Sequence, residues 1–167
     1  MLVLLGAVVL LAVVLIVIIS SCSKKNQGAG ITAQAFFGMR EILARQKALG
    51  GLIAVVSHSV NDTIERDYRE NGLPMPDAIF GWELPPERRK PEPWALSQIM
   101  ERFSLHKSDL LMLDDLKPGY DMARAAGVDF AAAGWAYDVP EIEGFMRKNC
   151  DFYFKTVQDF GQFLEEG

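Results

Sequence analysis

The chain has 167 residues, half of them apolar, which is enough for one well-packed domain. Its 17 basic and 22 acidic side chains give a net charge of −5, and without Lys24 and Lys25 the chain from Ile31 onward carries 15 against 22, net −7, which excludes a general nucleic-acid surface with its basic stripe. Two distant cysteines, Cys22 and Cys150, exclude a disulfide framework and a cysteine metal cluster.

Residues Leu2 to Ile19 form an unbroken apolar run. Eighteen residues in a helix rise about 27 Å, close to the roughly 30 Å hydrocarbon core of a bilayer. A soluble buried helix of that length would normally show a polar face. The expectation is a hydrophobic membrane segment over residues 1–22, with 2–19 in the bilayer as a single pass. Lys24 and Lys25 follow it directly, which places the globular domain in the cytoplasm. Two alternatives stand beside it. Ile19-Ser20-Ser21-Cys22 resembles a bacterial lipobox and would anchor a lipoprotein at Cys22. The run is also rich in Val and Ile, and Val13 to Ile19 could be a buried strand. Residues 23–30, SKKNQGAG, read as a flexible polar linker.

From Ala35 to Leu49 the apolar residues recur at near-helical spacing, and Gly50-Gly51 stops the helix. Leu52 to Val56 is a buried strand ending on Ser57-His58-Ser59. A helix follows over roughly Asp62 to Asn71, capped by Asn61 or Ser59. Ala78 to Phe80 is a short strand. The proline-rich stretch GWELPPERRKPEP is a loop presenting Arg88, Arg89 and Lys90, and Pro93 opens the helix Trp94 to Phe103. The strand LLML (Leu110 to Leu113) ends on Asp114 and Asp115, followed by a Pro-Gly turn and the helix MARAAG. A strand from Val128 to Ala132, a helix from about Pro140 to Lys148, a strand from Phe152 to Phe154 and a helix from Val157 to Leu164 complete the chain. This alternation predicts an α/β fold, a three-layer Rossmann-like parallel sheet over residues 31–167.

Ligands of such sheets bind outside the carboxyl ends of the strands. There the topology gathers Ser57, Lys90 and the pair Asp114 and Asp115. Two adjacent carboxylates need solvent, a cation or a lysine, and a hard cation such as Mg²⁺ suits oxygen ligands. A hydroxyl, an ammonium and a metal-binding acid pair make a site for a phosphate group, against which solvated loop residues are the plain alternative. His58, beside Ser57, is a possible substrate contact. Trp82, Trp94 and Trp135 read as packing residues. Receiver domains use similar groups, but their acid pair comes first in the chain, and here it comes last.

In that order, LIAVVS with Ser57, RRKPEPWAL with Lys90, and LLMLDD with Asp114 and Asp115, the sequence resembles the haloacid dehalogenase superfamily of phosphatases. The resemblance implies a phosphohydrolase core in which Ser57 and Lys90 hold phosphoryl oxygens of a small phosphorylated molecule and Asp114 and Asp115 hold Mg²⁺. It also implies a nucleophilic Asp-x-Asp motif after a first strand, and a cap domain. No Asp-x-Asp occurs in the chain, whose first acid is Glu41. The expectation is therefore a core with its first strand and cap absent, Ser57 displaced relative to Asp114, and activity nil or very weak. The alternative is a membrane-tethered pseudophosphatase serving as a binding or scaffold module.

Overall fold

The computed structural model describes residues 14–17 and 35–166. Six strands form one sheet: β1 (Val14–Val17), β2 (Ile53–Val56), β3 (Ala78–Phe80), β4 (Leu110–Asp114), β5 (Asp129–Ala133) and β6 (Phe152–Phe154). Six α-helices connect or follow them: α1 (Met39–Ala48), α2 (Asn61–Glu70), α3 (Trp94–Phe103), α4 (Lys117–Ala126), α5 (Pro140–Asn149) and α6 (Val157–Glu166). The strand order is β3-β2-β1-β4-β5-β6 and every pairing is parallel. The expected α/β sheet is present. Its order reverses at β1 and β4, so the crevice that such sheets offer to ligands opens at their carboxyl ends.

Two expectations about the N-terminus are corrected. Val14–Val17 is a strand, so the run Leu2 to Ile19 is not one continuous membrane helix; its remaining residues, 2–13 and 18–19, lie outside the described residues, as do the linker and Cys22. Among the described residues no helix is long and apolar enough to cross a membrane. The first strand, expected to be absent, occupies the centre of the sheet: Leu15 pairs with Ile53 on one side and with Leu111 on the other. The reason is the ladder itself. A central parallel strand satisfies its backbone through both neighbours and needs apolar residues on both faces, and the stretch VLIV meets that demand without any polar face. The alternative of a strand within Val13 to Ile19 holds over these four residues.

Alternation along the strands divides the core into two layers. Leu110 and Met112 face the side covered by α3, α4 and α5, where Leu96, Ile99, Met122 and Met146 are buried. Leu111 and Leu113 face α1, α2 and α6, where Leu43, Tyr68 and Phe160 are buried. Two local expectations fail. Pro118 and Gly119 are not a turn but the first turn of α4, where a proline lacks nothing because the N–H it cannot donate would be unpaired in any case. Neither Ser59 nor Asn61 caps α2; the Glu83 carboxylate accepts the Asn61 amide at 2.8 Å from the loop opposite.

Candidate active site

Strand β4 delivers two consecutive carboxylates to the carboxyl edge of the sheet, and both are buried, Asp114 1% and Asp115 6% exposed. Their settings differ. Asp114 Oδ1 accepts the amides of Asp115 (2.7 Å) and Leu116 (3.1 Å), and its Oδ2 accepts a proton of Lys90 Nζ at 3.0 Å. Asp115 Oδ1 is buried without a protein partner. Burial, and then the neighbouring Asp114 carboxylate, push the Asp115 carboxyl up from its ordinary 3.8 to about 7, with Lys90 acting in the opposite direction. Gly119 in α4 makes the arrangement possible. A Cβ there would collide with the Asp114 carboxylate, so only glycine lets the helix come this close.

Lys90 comes from the proline-rich loop that follows β3. This loop contains a short 3₁₀ turn at Pro86–Arg88, and the Lys90–Pro91 peptide is cis. The Lys90 side chain is only 7% exposed, so its ammonium is held by geometry rather than solvated. Such a buried pair is matched on both sides: removing either charge strands the other in a poorly solvated place.

Ser57 follows β2. Its Oγ accepts the Ser59 amide at 3.0 Å, and its own amide donates to Phe80 O of β3. His58 is exposed and its Nε2 lies 3.3 Å from Lys90 O, which ties this turn to the lysine loop. Ser57, His58, Lys90, Asp114 and Asp115 thus lie along one edge of the sheet. Only Lys90 and Asp114 bond side chain to side chain; β1 stands between the strands that carry Ser57 and Asp114. The expected displacement of Ser57 by an empty slot is corrected, because β1 fills that slot. The two flanking registers, Ile16 with Ala54 and with Met112, set β2 and β4 one strand apart on either side.

Gly119, Trp82 and Arg89 have roles at this edge that differ from what the sequence implies. Gly119, expected in a turn, lies in α4 against Asp114. Trp82, expected to pack, is 48% exposed, and the Arg89 guanidinium lies over its ring at 3.8 Å. The visible signal was the pair Arg88-Arg89 beside Lys90. Trp94 and Trp135 do pack, against the two faces of the core.

Among the described residues no group of three His, Cys, Asp or Glu side chains converges as a closed metal site. The donor chemistry still fits Mg²⁺. This ion keeps several waters and takes one or two carboxylates together with substrate phosphate oxygens, and Asp115 Oδ1 is a buried oxygen of the right kind without a partner.

Comparison with known proteins bears on the family and the fold. The family model for haloacid dehalogenase-like hydrolases matches residues 18–133. A conserved haloacid dehalogenase-like protein of unknown function from Agrobacterium tumefaciens superposes with a TM-score of 0.66 at 19% identity, over 78% of this chain and 60% of that one. A protein from Haemophilus somnus described as a predicted phosphoglycolate phosphatase gives 0.65 at 20% identity, over 78% and 56%. A phosphonoacetaldehyde hydrolase-like protein from Oleispira antarctica gives 0.65 at 14% identity, over 80% and 56%. The chain therefore spans little more than half the length of each. No curated protein matches.

Proposed function

This chain belongs to the haloacid dehalogenase-like hydrolases, and from that premise we propose that it binds the phosphate group of a small phosphorylated metabolite at the carboxyl edge of β1, β2 and β4. The observation that carries this reading is the buried Lys90–Asp114 pair beside the Ser57 turn. Lys90 uses one N–H on Asp114 and keeps two for phosphoryl oxygens. Ser57 Oγ accepts from Ser59 and so keeps its own proton for another. Asp114 positions Lys90, while Asp115 would hold Mg²⁺. Bound there, the ion would neutralise charge on the phosphoryl oxygens. His58 lines the outer side of the same turn, where it can touch the substrate.

Turnover is not expected from the sequence as it stands. Residues 18–22 after β1, IISSC, carry no carboxylate, and no Asp-x-Asp occurs in the chain. The remaining groups position and neutralise, but the covalent route of the family needs its nucleophile. The reading is thus a phosphate-ester binder first and a hydrolase at most weakly. A membrane tether would have to lie outside residues 14–17, which are in the sheet; carbonate-resistant recovery of the full chain in the membrane fraction is its test.

The experiment for the main reading is calorimetric titration of the full chain with inorganic phosphate in Mg²⁺, alongside a p-nitrophenyl phosphate assay. Saturable binding that Ser57→Ala weakens, with hydrolysis at background, is the expected result. Absence of phosphate binding would remove the reading. Robust hydrolysis abolished by Asp114→Ala would require a nucleophile elsewhere in the chain.

A further inference from the structure

Nine arginines lie among the described residues, and six pair with a carboxylate: Arg40, Arg45, Arg66, Arg69, Arg124 and Arg147. The other three lie over aromatic rings instead: Arg102 over Phe103 at 5.2 Å, and Arg88 and Arg89, the two that precede Lys90. Arg88 lies over Trp94 at 4.8 Å and Arg89 over Trp82 at 3.8 Å. In an acidic chain, two guanidiniums without an acid next to a phosphate-binding lysine are the exception to be explained.

Arg89 is the better placed of the two. Its Nε donates to Leu84 O, and among the described residues the rest of its fork has no hydrogen-bond partner. Stacking on an indole and one fixed N–H remove much of the rotamer freedom a long side chain would otherwise lose on binding. The ring beneath it belongs to the site. Trp82 N donates to Ser59 O at 2.9 Å, Ser59 N donates to Ser57 Oγ at 3.0 Å, and the Trp82 ring meets His58 edge-on with centroids 5.9 Å apart. A half-fixed guanidinium with a free planar edge is built for an oxyanion, which it can hold through two parallel hydrogen bonds.

We infer that Arg89, stacked on Trp82 and bordered by His58, is a second anion subsite, which selects phosphate esters carrying another oxyanion, a carboxylate or a phosphate, on the leaving-group side. The inference rests on the phosphate-site reading above. It names the substrate class as small phosphate esters that carry a second anionic group, and it assigns specificity to a loop of the core domain itself.

The test is calorimetric titration of the full chain in Mg²⁺ with three esters: glycerol 3-phosphate, 3-phosphoglycerate and propane-1,3-diol bisphosphate. The expected result is about tenfold tighter binding of one or both esters with a second anionic group, 3-phosphoglycerate and propane-1,3-diol bisphosphate, than of glycerol 3-phosphate, a difference of about 1.4 kcal/mol. Arg89→Gln should erase that preference and leave glycerol 3-phosphate binding unchanged. Whichever anionic ester loses more assigns the subsite to carboxylate or to phosphate. Equal binding of all three by the parent chain, or a preference that survives Arg89→Gln, overturns the subsite while the phosphate site stands. If none of the esters binds and inorganic phosphate does not either, the phosphate site fails and the subsite with it.

Discussion

Asp114 and Asp115 are chain neighbours in opposite electrostatic settings, and this makes their substitutions separable. Asp115 is an acid raised to about 7 in the folded chain from an ordinary 3.8. Between those values the folded state binds the proton more tightly than the unfolded one, so the stability present below about pH 4 declines as pH rises towards 7. In EDTA, Asp115→Asn should flatten that decline and leave the variant more stable than the parent at pH 8. Urea midpoints at pH 4, 6 and 8 measure it, and parallel curves for the two proteins would refute it. Lys90 is the converse case. Lys90→Met leaves Asp114 buried without its cation and should cost about 3 kcal/mol or more; adding Asp114→Asn to it should recover part of the loss in the same denaturation assay. The sequence made the presence of both acids and the lysine legible, because a strand end and a loop are visible in one dimension. It did not reveal which acid meets the lysine, since that depends on how closely α4 approaches β4.

At the scale of elements, two helical glycines of the same chemistry should respond with opposite sign. A methyl at Gly119 meets the Asp114 carboxylate, whereas at Gly144 in α5 nothing lies within 4 Å. Gly119→Ala should destabilise by about 1–3 kcal/mol, as overpacking does. Gly144→Ala should stabilise by about 0.5–1 kcal/mol, as removal of a glycine from a helix interior does. Chemical denaturation of both variants checks the pair. The elements from Ala35 onward were legible because apolar runs there are short and bounded by Gly, Pro and polar residues. β1 was legible only as an alternative to a membrane helix, because an unbroken apolar run of eighteen residues carries neither the period of a strand nor that of a helix. Ile16→Pro tests the assignment directly. A proline in a central strand removes a ladder hydrogen bond and should abolish the cooperative unfolding transition. A membrane helix lying outside the domain would leave that transition intact.

For the whole molecule, the sheet extends ahead of the boundary expected at residue 31. A fragment beginning at Ile31 lacks the strand that joins β2 to β4, and two strand edges that should be internal would face solvent. Such a fragment is expected to aggregate or to lack a cooperative melting transition; a sharp calorimetric transition like that of the full chain would contradict it. The same strand has a consequence for biogenesis. Val14 pairs with Leu110, which leaves the ribosome 96 positions later. At about 5–20 residues per second, β1 waits on the order of 5–20 s after synthesis before its second partner exists. During that interval an uncharged, β-branched segment is exposed on a nascent chain, the kind of segment that seeds intermolecular strand pairing. Yield in a cell should therefore depend on chaperone capacity and translation speed between β1 and β4 as well as on the stability of the finished sheet.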